Sequence, residues 1–111
     1  MTITYDDFLK VDVRVGAVVS AEEFVGARQP AIKMQIDFGP ELGIKKTSAQ
    51  VTAYYKPEEL IGRQVCAVVN FPPKQIGNFM SEVLVLGFSK EDKKIVLIAP
   101  DQEVPNGVRM H

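Results

Sequence analysis

At 111 residues the chain has room for one hydrophobic core and not comfortably for two, and its 46% apolar and 24% charged content is that of an ordinary globular protein, not a disordered or fibrous one. A net charge of −1 and a pI of about 5.8 argue against the strong nonspecific phosphate attraction of a dedicated nucleic-acid binder. The single cysteine, Cys66, excludes an intrachain disulfide, and no apolar run approaches the ~20 residues of a membrane span, so no membrane insertion is expected.

The charge is unevenly spread. Residues 1–25 hold two bases and five acids (−3), residues 26–74 seven and four (+3), and residues 75–111 four and five (−1), which leaves room for a locally basic face.

In chain order, Met1 to Asp7 carries acids where a signal peptide would carry bases, and a cytoplasmic location is expected. Thr4 precedes Tyr5-Asp6-Asp7-Phe8-Leu9, whose acids complement a helix dipole, so residues 4–9 read as a short capped helix. Val11, Val13, Val15, Ala17 and Val19 then alternate with Asp12, Arg14 and Gly16, a half-buried first strand in which Gly16 marks a bulge or bend. Asp12 and Arg14 share a face, as a structural pair or a dimer contact. Residues 20–30, with Gly26 and Pro30, read as a connection.

Ile32, Met34, Ile36 and Phe38 alternate with Lys33, Gln35 and Asp37, a second strand with one wet face that Gly39-Pro40 closes. Ile44 to Ala49 reads as a third strand, made polar by Lys45, Lys46, Thr47 and Ser48. Residues 51–60 read as loop or short helix, with Pro57-Glu58-Glu59-Leu60 as the helix start and Gly62 as its stop. The fourth strand covers Gln64 to Asn70, with Cys66 as a small buried hydrophobe, and the fifth Ser81 to Leu86. The sixth, Ile95 to Ala99, follows a solvated hairpin tip at Lys90 to Lys94, and Pro105-Asn106-Gly107 is a turn signal in the tail. This order predicts a mainly all-β fold, a five-stranded OB Greek-key barrel with a short N-terminal helix and a second helix between strands 3 and 4.

The stretch Asn70 to Gly87 leaves one strand and enters the next through a long loop. Pro72 and Pro73 lack backbone donors and pre-set the exit, while Gly77 permits a left-handed turn. Phe71, Ile76, Phe79 and Met80 give this loop an apolar load unusual for a surface segment. They either cap the core or form a contact surface for a partner. Asn70 is expected to bond loop backbone and brace that surface.

Asp12-Val13-Arg14-Val15-Gly16, Ile36-Asp37-Phe38-Gly39, Pro57-Glu58-Glu59-Leu60-Ile61-Gly62, Val69-Asn70 with Pro73, Ser81-Glu82, and Pro100-Asp101 with Gly107 together resemble the tRNA-binding OB domain, over nearly the whole chain. Within that family, Ile44 to Gln50, Val68 to Pro73, Ser81 to Gly87 and Pro100-Asp101-Gln102 followed by Val104-Pro105-Asn106-Gly107 resemble the CsaA-like chaperones. The resemblance implies one tRNA-binding-type OB domain over residues 1–111, with residues 1–10 as a helical extension and 100–111 as a tail. It also implies a homodimer joined through those two segments at Phe8, Leu9, Val104 and Val108, binding unfolded or presecretory polypeptides for protein export and cooperating with the export motor SecA.

Two binding modes therefore compete. A groove for apolar peptide would use Phe71, Ile76, Phe79 and Met80 with Tyr54 and Tyr55, rimmed by Lys45, Lys46 and Lys74, with Glu82 receiving a client's basic end. A tRNA or RNA surface would use Lys33, Lys45, Lys46, Ser48, Lys74 and Ser81, with Arg28 as a further cation and Tyr54 or Phe79 as base stackers; the plain alternative for these lysines is a solvated strand face. An enzyme is not expected, and neither is a cofactor or metal. His111 is the only histidine, no Cys and His pair or Ser, His and Asp set is present, and the paired acids sit at turns and helix starts.

Overall fold

A computed structural model describes all 111 residues. Its first element, α1 (Tyr5–Leu9), starts where the sequence places it. The Asp7 amide donates to the Thr4 hydroxyl at 3.2 Å and the Thr4 amide to the Asp7 carboxylate at 3.0 Å, a reciprocal cap. That backbone hydrogen bond, with help from Lys10, holds the Asp7 carboxyl below the ordinary carboxylate range.

The barrel is built on β1 (Val13–Glu23), which runs four residues beyond the expected strand and takes in what reads as a connection in the sequence. Its first half pairs antiparallel with β4 (Gln64–Val68) and its second half with β2 (Ile32–Asp37), so a single bent strand joins both sides of the barrel. The bulge falls at Val19, not at Gly16. Gly16 serves packing instead: a Cβ there would lie 2.6 Å from Ile36 and 2.8 Å from the Phe38 ring.

β2 ends in a short helix, α2 (Gly39–Leu42), where the sequence reads only as a strand stop. β3 (Ile44–Ala49) then pairs with β2, and α3 (Pro57–Leu60) follows between strands 3 and 4 as expected. Leu60 drops from α3 into the core beside Ile32, Met34, Ile36, Phe38, Val51 and Val65.

The fifth strand is not continuous. The loop after β4 contains its own hairpin, β5 (Lys74–Ile76) and β6 (Phe79–Ser81), turned at Gly77 with φ +60°. The chain then changes partners and pairs with β4 as β7 (Leu84–Val85). At the change of partner it closes the barrel against β3. The Glu82 amide donates to the Lys46 carbonyl at 2.8 Å, the Lys46 amide to the Glu82 carboxylate at 2.9 Å, and the buried Thr47 hydroxyl to the Val83 carbonyl at 2.7 Å. The sheet order β3-β2-β1-β4-β7 with this seam is the five-stranded OB barrel.

A last hairpin, β8 (Gly87–Ser89) and β9 (Ile95–Leu97), carries the charged tip at Lys90 to Lys94. The tail then lies along the half of β1 that β2 leaves free. The Gly107 amide bonds the Val15 carbonyl at 2.8 Å, the Val15 amide the Val108 carbonyl at 3.2 Å, and the Met110 amide the Val13 carbonyl at 2.8 Å. Arg14 grips Asp12 at 2.7 and 3.2 Å and the Gly107 carbonyl at 3.0 Å, so it pins the tail within the chain. Asn70 does not brace the contact loop. Its side chain ties β4's end to the Lys10 carbonyl and the Asp12 amide, at 2.8 and 3.0 Å.

Candidate functional site

The residues expected to bind peptide fall into four places. Phe71 and Ile76 line a groove of about 820 Å³ between the end of β3, the β5–β6 hairpin and the β8–β9 hairpin. Leu84, Leu86, Ile95 and Leu97 complete its apolar lining, Ser48 lies at its β3 wall, and Lys74 and Glu82 mark its edge. Phe71 and Leu84 remain 55% and 50% exposed, an apolar surface left in water by a fold that has already buried its core. One Glu82 oxygen is engaged by the Lys46 amide, so the carboxylate is held at the edge by the barrel seam.

A second trough of about 280 Å³, lined by Phe24, Ala27 and Arg28 among others, shares Ser48, Ala49, Gln50 and Ile76 with the groove. Both lie against the end of β3.

Phe79 lies elsewhere. Its ring meets Phe24 edge-on, with centroids 5.4 Å apart at 68°, and the ammonium groups of Lys33 and Lys46 each stand 5.4 Å from its centroid. Lys33, Lys46 and Ser48 share one face of the sheet because β2 and β3 pair Lys33 with Ser48 and Gln35 with Lys46. A shallow cavity of about 260 Å³ lies among Ser20, Glu22, Lys33, Gln35, Lys46 and Phe79. Lys33 also pairs with the exposed Glu22 carboxylate at 3.6 Å.

Three expected RNA residues are not on that face. Lys45 alternates onto the side shared with buried Thr47. Ser81 is buried, its hydroxyl 3.0 Å from that of Thr47 in the barrel seam. Lys74 belongs to the groove.

Met80 stands on the outward face of its hairpin, opposite Gln75. Tyr54 is a latch: its hydroxyl donates to Asp92 at 2.8 Å and Lys90 stands 4.8 Å over its ring, tying residues 50–56 to the β8–β9 tip. Tyr55 repeats the device, its hydroxyl accepting the Leu97 amide at 3.0 Å. Together the tyrosines hold the hairpin whose Ile95 and Leu97 wall the groove. The sequence signal for those two wall residues is weak, because the apolar run Ile95 to Ala99 reads equally as core.

Of the expected dimer residues, Leu9 and Val108 are each 44% exposed, and Phe8 and Val104 are half-buried. Val104 is fixed by Gln64, which exchanges hydrogen bonds of 2.6 and 3.2 Å with its backbone. No helix is long and apolar enough to cross a membrane.

Comparison with known proteins places this geometry. The family model of the tRNA binding domain matches residues 13–109. The crystal structure of the chaperone CsaA from Bacillus anthracis superposes with a TM-score of 0.94, is 53% identical, and covers 100% of both chains. That of the CsaA chaperone protein from Picrophilus torridus gives 0.91 at 49% identity, covering 99% of this chain and 100% of that one. The methionine–tRNA ligase of Parabacteroides distasonis is 37% identical over 106 residues, which is 95% of this chain and 15% of the ligase. The chain thus spans about 15% of the length of the curated relatives it matches, and the matched part is a binding domain. The chain belongs to the tRNA-binding domain family and is a CsaA-like member of it.

Proposed function

We propose that this protein is a holding chaperone that binds apolar segments of unfolded or presecretory polypeptides in the groove beside the β5–β6 hairpin and supports protein export from the cytoplasm. The observation that carries this reading is the 820 Å³ groove, wet and mostly apolar, with the flexible Lys74 and the fixed Glu82 at its edge. Likeness to proteins described as CsaA chaperones supports it. The role is one of binding, without catalysis. Homodimerisation through α1 and the tail, at Phe8, Leu9, Val104 and Val108, joins two such grooves in one particle, and delivery to SecA is the corresponding export step. The exposed Leu9 and Val108, with Met110 beside them in the tail, support that interface.

The test is fluorescence anisotropy with a labelled 15-residue apolar peptide bearing a basic end. Ile76→Ser with Leu84→Ser should weaken binding by at least tenfold, while raising the salt from ~50 to ~200 mM leaves the parent's affinity within about twofold, because apolar burial is not screened. Unchanged affinity in a folded double variant removes the groove from the function.

RNA binding is the second reading, and the Lys33, Lys46 and Phe79 cluster favours it together with the family's description. An aromatic ring flanked by two ammonium groups offers a base a stacking surface and phosphates two cations. Affinity for tRNA through this surface should fall steeply with salt.

A further inference from the structure

The groove and the cation–aromatic surface meet in one small structural unit, the β5–β6 hairpin. The register pairs Lys74 with Ser81 and Ile76 with Phe79, and residues directly opposite each other in an antiparallel pair share a face. Lys74, Ile76, Phe79 and Ser81 therefore form the inward side of a flap, and Gln75 and Met80 its outward side. Burial follows this division except at the mouth of the groove: Ser81 is buried and Ile76 and Phe79 half-buried, Gln75 and Met80 are exposed, and Lys74, on the inward side, is exposed as well.

The flap pairs only with itself as a two-stranded sheet. It is anchored at its base by the Ser81 and Thr47 hydroxyls at 3.0 Å and by the Glu82 and Lys46 backbone bond at 2.8 Å. Its tip is open, since a Cβ on Gly77 would meet nothing within 4 Å. Next to the tip, Phe79 rests on the edge of Phe24 beneath two ammonium groups at 5.4 Å. Phe79 is thus the pin of the flap, and its cross-strand partner Ile76 is a wall of the groove.

We propose that the flap couples the two surfaces negatively: a phosphate-bearing strand bound by Lys33 and Lys46 lowers the groove's affinity for polypeptide. The inference rests on both readings given above. A phosphate oxygen attracts an ammonium more strongly than a ring face does, so the bound strand draws both lysines from Phe79 and loosens the pin. Ile76 and Lys74 then move with the flap, and the groove loses a wall. Polypeptide in the groove lowers affinity for the strand by the same factor, because binding free energies are linked reciprocally. The protein would then hold a client or a nucleic acid, but hold both together only weakly.

The experiment measures the affinity of the labelled 15-residue apolar peptide at rising concentrations of a uridylate octamer in ~50 mM salt, after each ligand has been titrated alone. The expected result is a peptide Kd that rises about fivefold and then reaches a plateau, with a reciprocal fivefold effect on the octamer. In Phe79→Leu, which keeps both lysines and removes the ring, the ratio of peptide Kd at saturating octamer to that without it, with saturation established by titrating the octamer alone on this variant, should fall towards one. A Kd that rises without limit means that the two ligands overlap in one site and overturns the coupling. So does a ratio of one in the parent protein, or an undiminished plateau in Phe79→Leu. No binding of the peptide alone overturns the chaperone reading and the coupling with it. No binding of the octamer alone overturns the coupling and leaves the chaperone reading standing.

Discussion

Replacing Thr47 by Val tests whether the barrel is closed where the chain changes partners between β6 and β7. The Thr47 hydroxyl is buried and donates to the Val83 carbonyl at 2.7 Å, while the Ser81 hydroxyl lies 3.0 Å from Thr47 and 3.3 Å from the same carbonyl. Val keeps the shape and removes the better donor, after which Ser81 can turn to Val83 through its longer contact. One sound buried hydrogen bond becomes a poorer one, a loss of about 1–2 kcal/mol. In Ser81→Ala the short Thr47 bond survives and the loss is about 0.5–1 kcal/mol. With both changes the Val83 carbonyl has no hydroxyl partner, and the double variant should lose about 1 kcal/mol more than the sum of the two. Urea unfolding at fixed protein concentration reads these differences, and for a chain of this size 1–2 kcal/mol corresponds to roughly 4–8 °C in Tm. A Thr47→Val protein within about 0.5 kcal/mol of the parent, or strictly additive singles, would refute the seam as drawn.

Further outcomes follow from other contacts. Gly107→Ala drives a Cβ into the Phe38 carbonyl oxygen at a backbone φ of +94°, so the tail should lift from β1; amide exchange at Val15 and Met110 should accelerate more than tenfold while the core amide of Val65 keeps its protection. The Tyr54 hydroxyl is pushed above its ordinary pKa by its bond to Asp92, and Asp92 is held below its own by the Lys94 amide and by Tyr54. The tyrosine's contribution is therefore complete below the usual tyrosine range and lost as pH rises through its raised value. The aspartate's contribution is present above the usual carboxylate range and lost as pH falls through its lowered value. Tyr54→Phe should abolish the high-pH step in a pH series of hairpin amide exchange. Cys66 is half-buried, not buried as its apolar strand suggests, because its side chain alternates away from the core face of Val65 and Ala67; that partial burial still pushes its thiol up, so iodoacetamide at pH 8 should modify it more slowly in the native than in the urea-unfolded protein.

The barrel was largely legible in the chain. Period-two alternation at Ile32, Met34, Ile36 and Phe38 names the core face of β2, and Pro57-Glu58-Glu59-Leu60 between two strand patterns locates α3, because burial and capping are local demands that leave a local trace. Less legible was everything that depends on a change of partner. The apolar run from Ser81 to Leu86 reads as one strand because each residue suits a strand, yet β6 pairs with β5 and β7 with β4. The extension of β1 to Glu23 leaves no trace in the sequence for the converse reason: Ser20, Glu22 and Glu23 look like loop, and pairing with β2 holds them extended.

The candidate site divides along the same line. Residue types determined that Asn70 to Gly87 would carry apolar surface out of the barrel, that residues 26–74 would be basic, and that the family likeness would cover nearly the whole length. Only the tertiary structure decided which of these residues work together. Ile76 and Phe79 are three positions apart and line different cavities from the same inward side of one flap, while Phe79 meets Lys33 and Lys46 from two other strands. Ile95 and Leu97 complete the groove from the far end of the chain because Tyr54 and Tyr55 hold their hairpin in place. A sequence displays what each side chain would tolerate, whereas a site is set by distances between segments far apart in the chain, and those distances exist only once the barrel has closed.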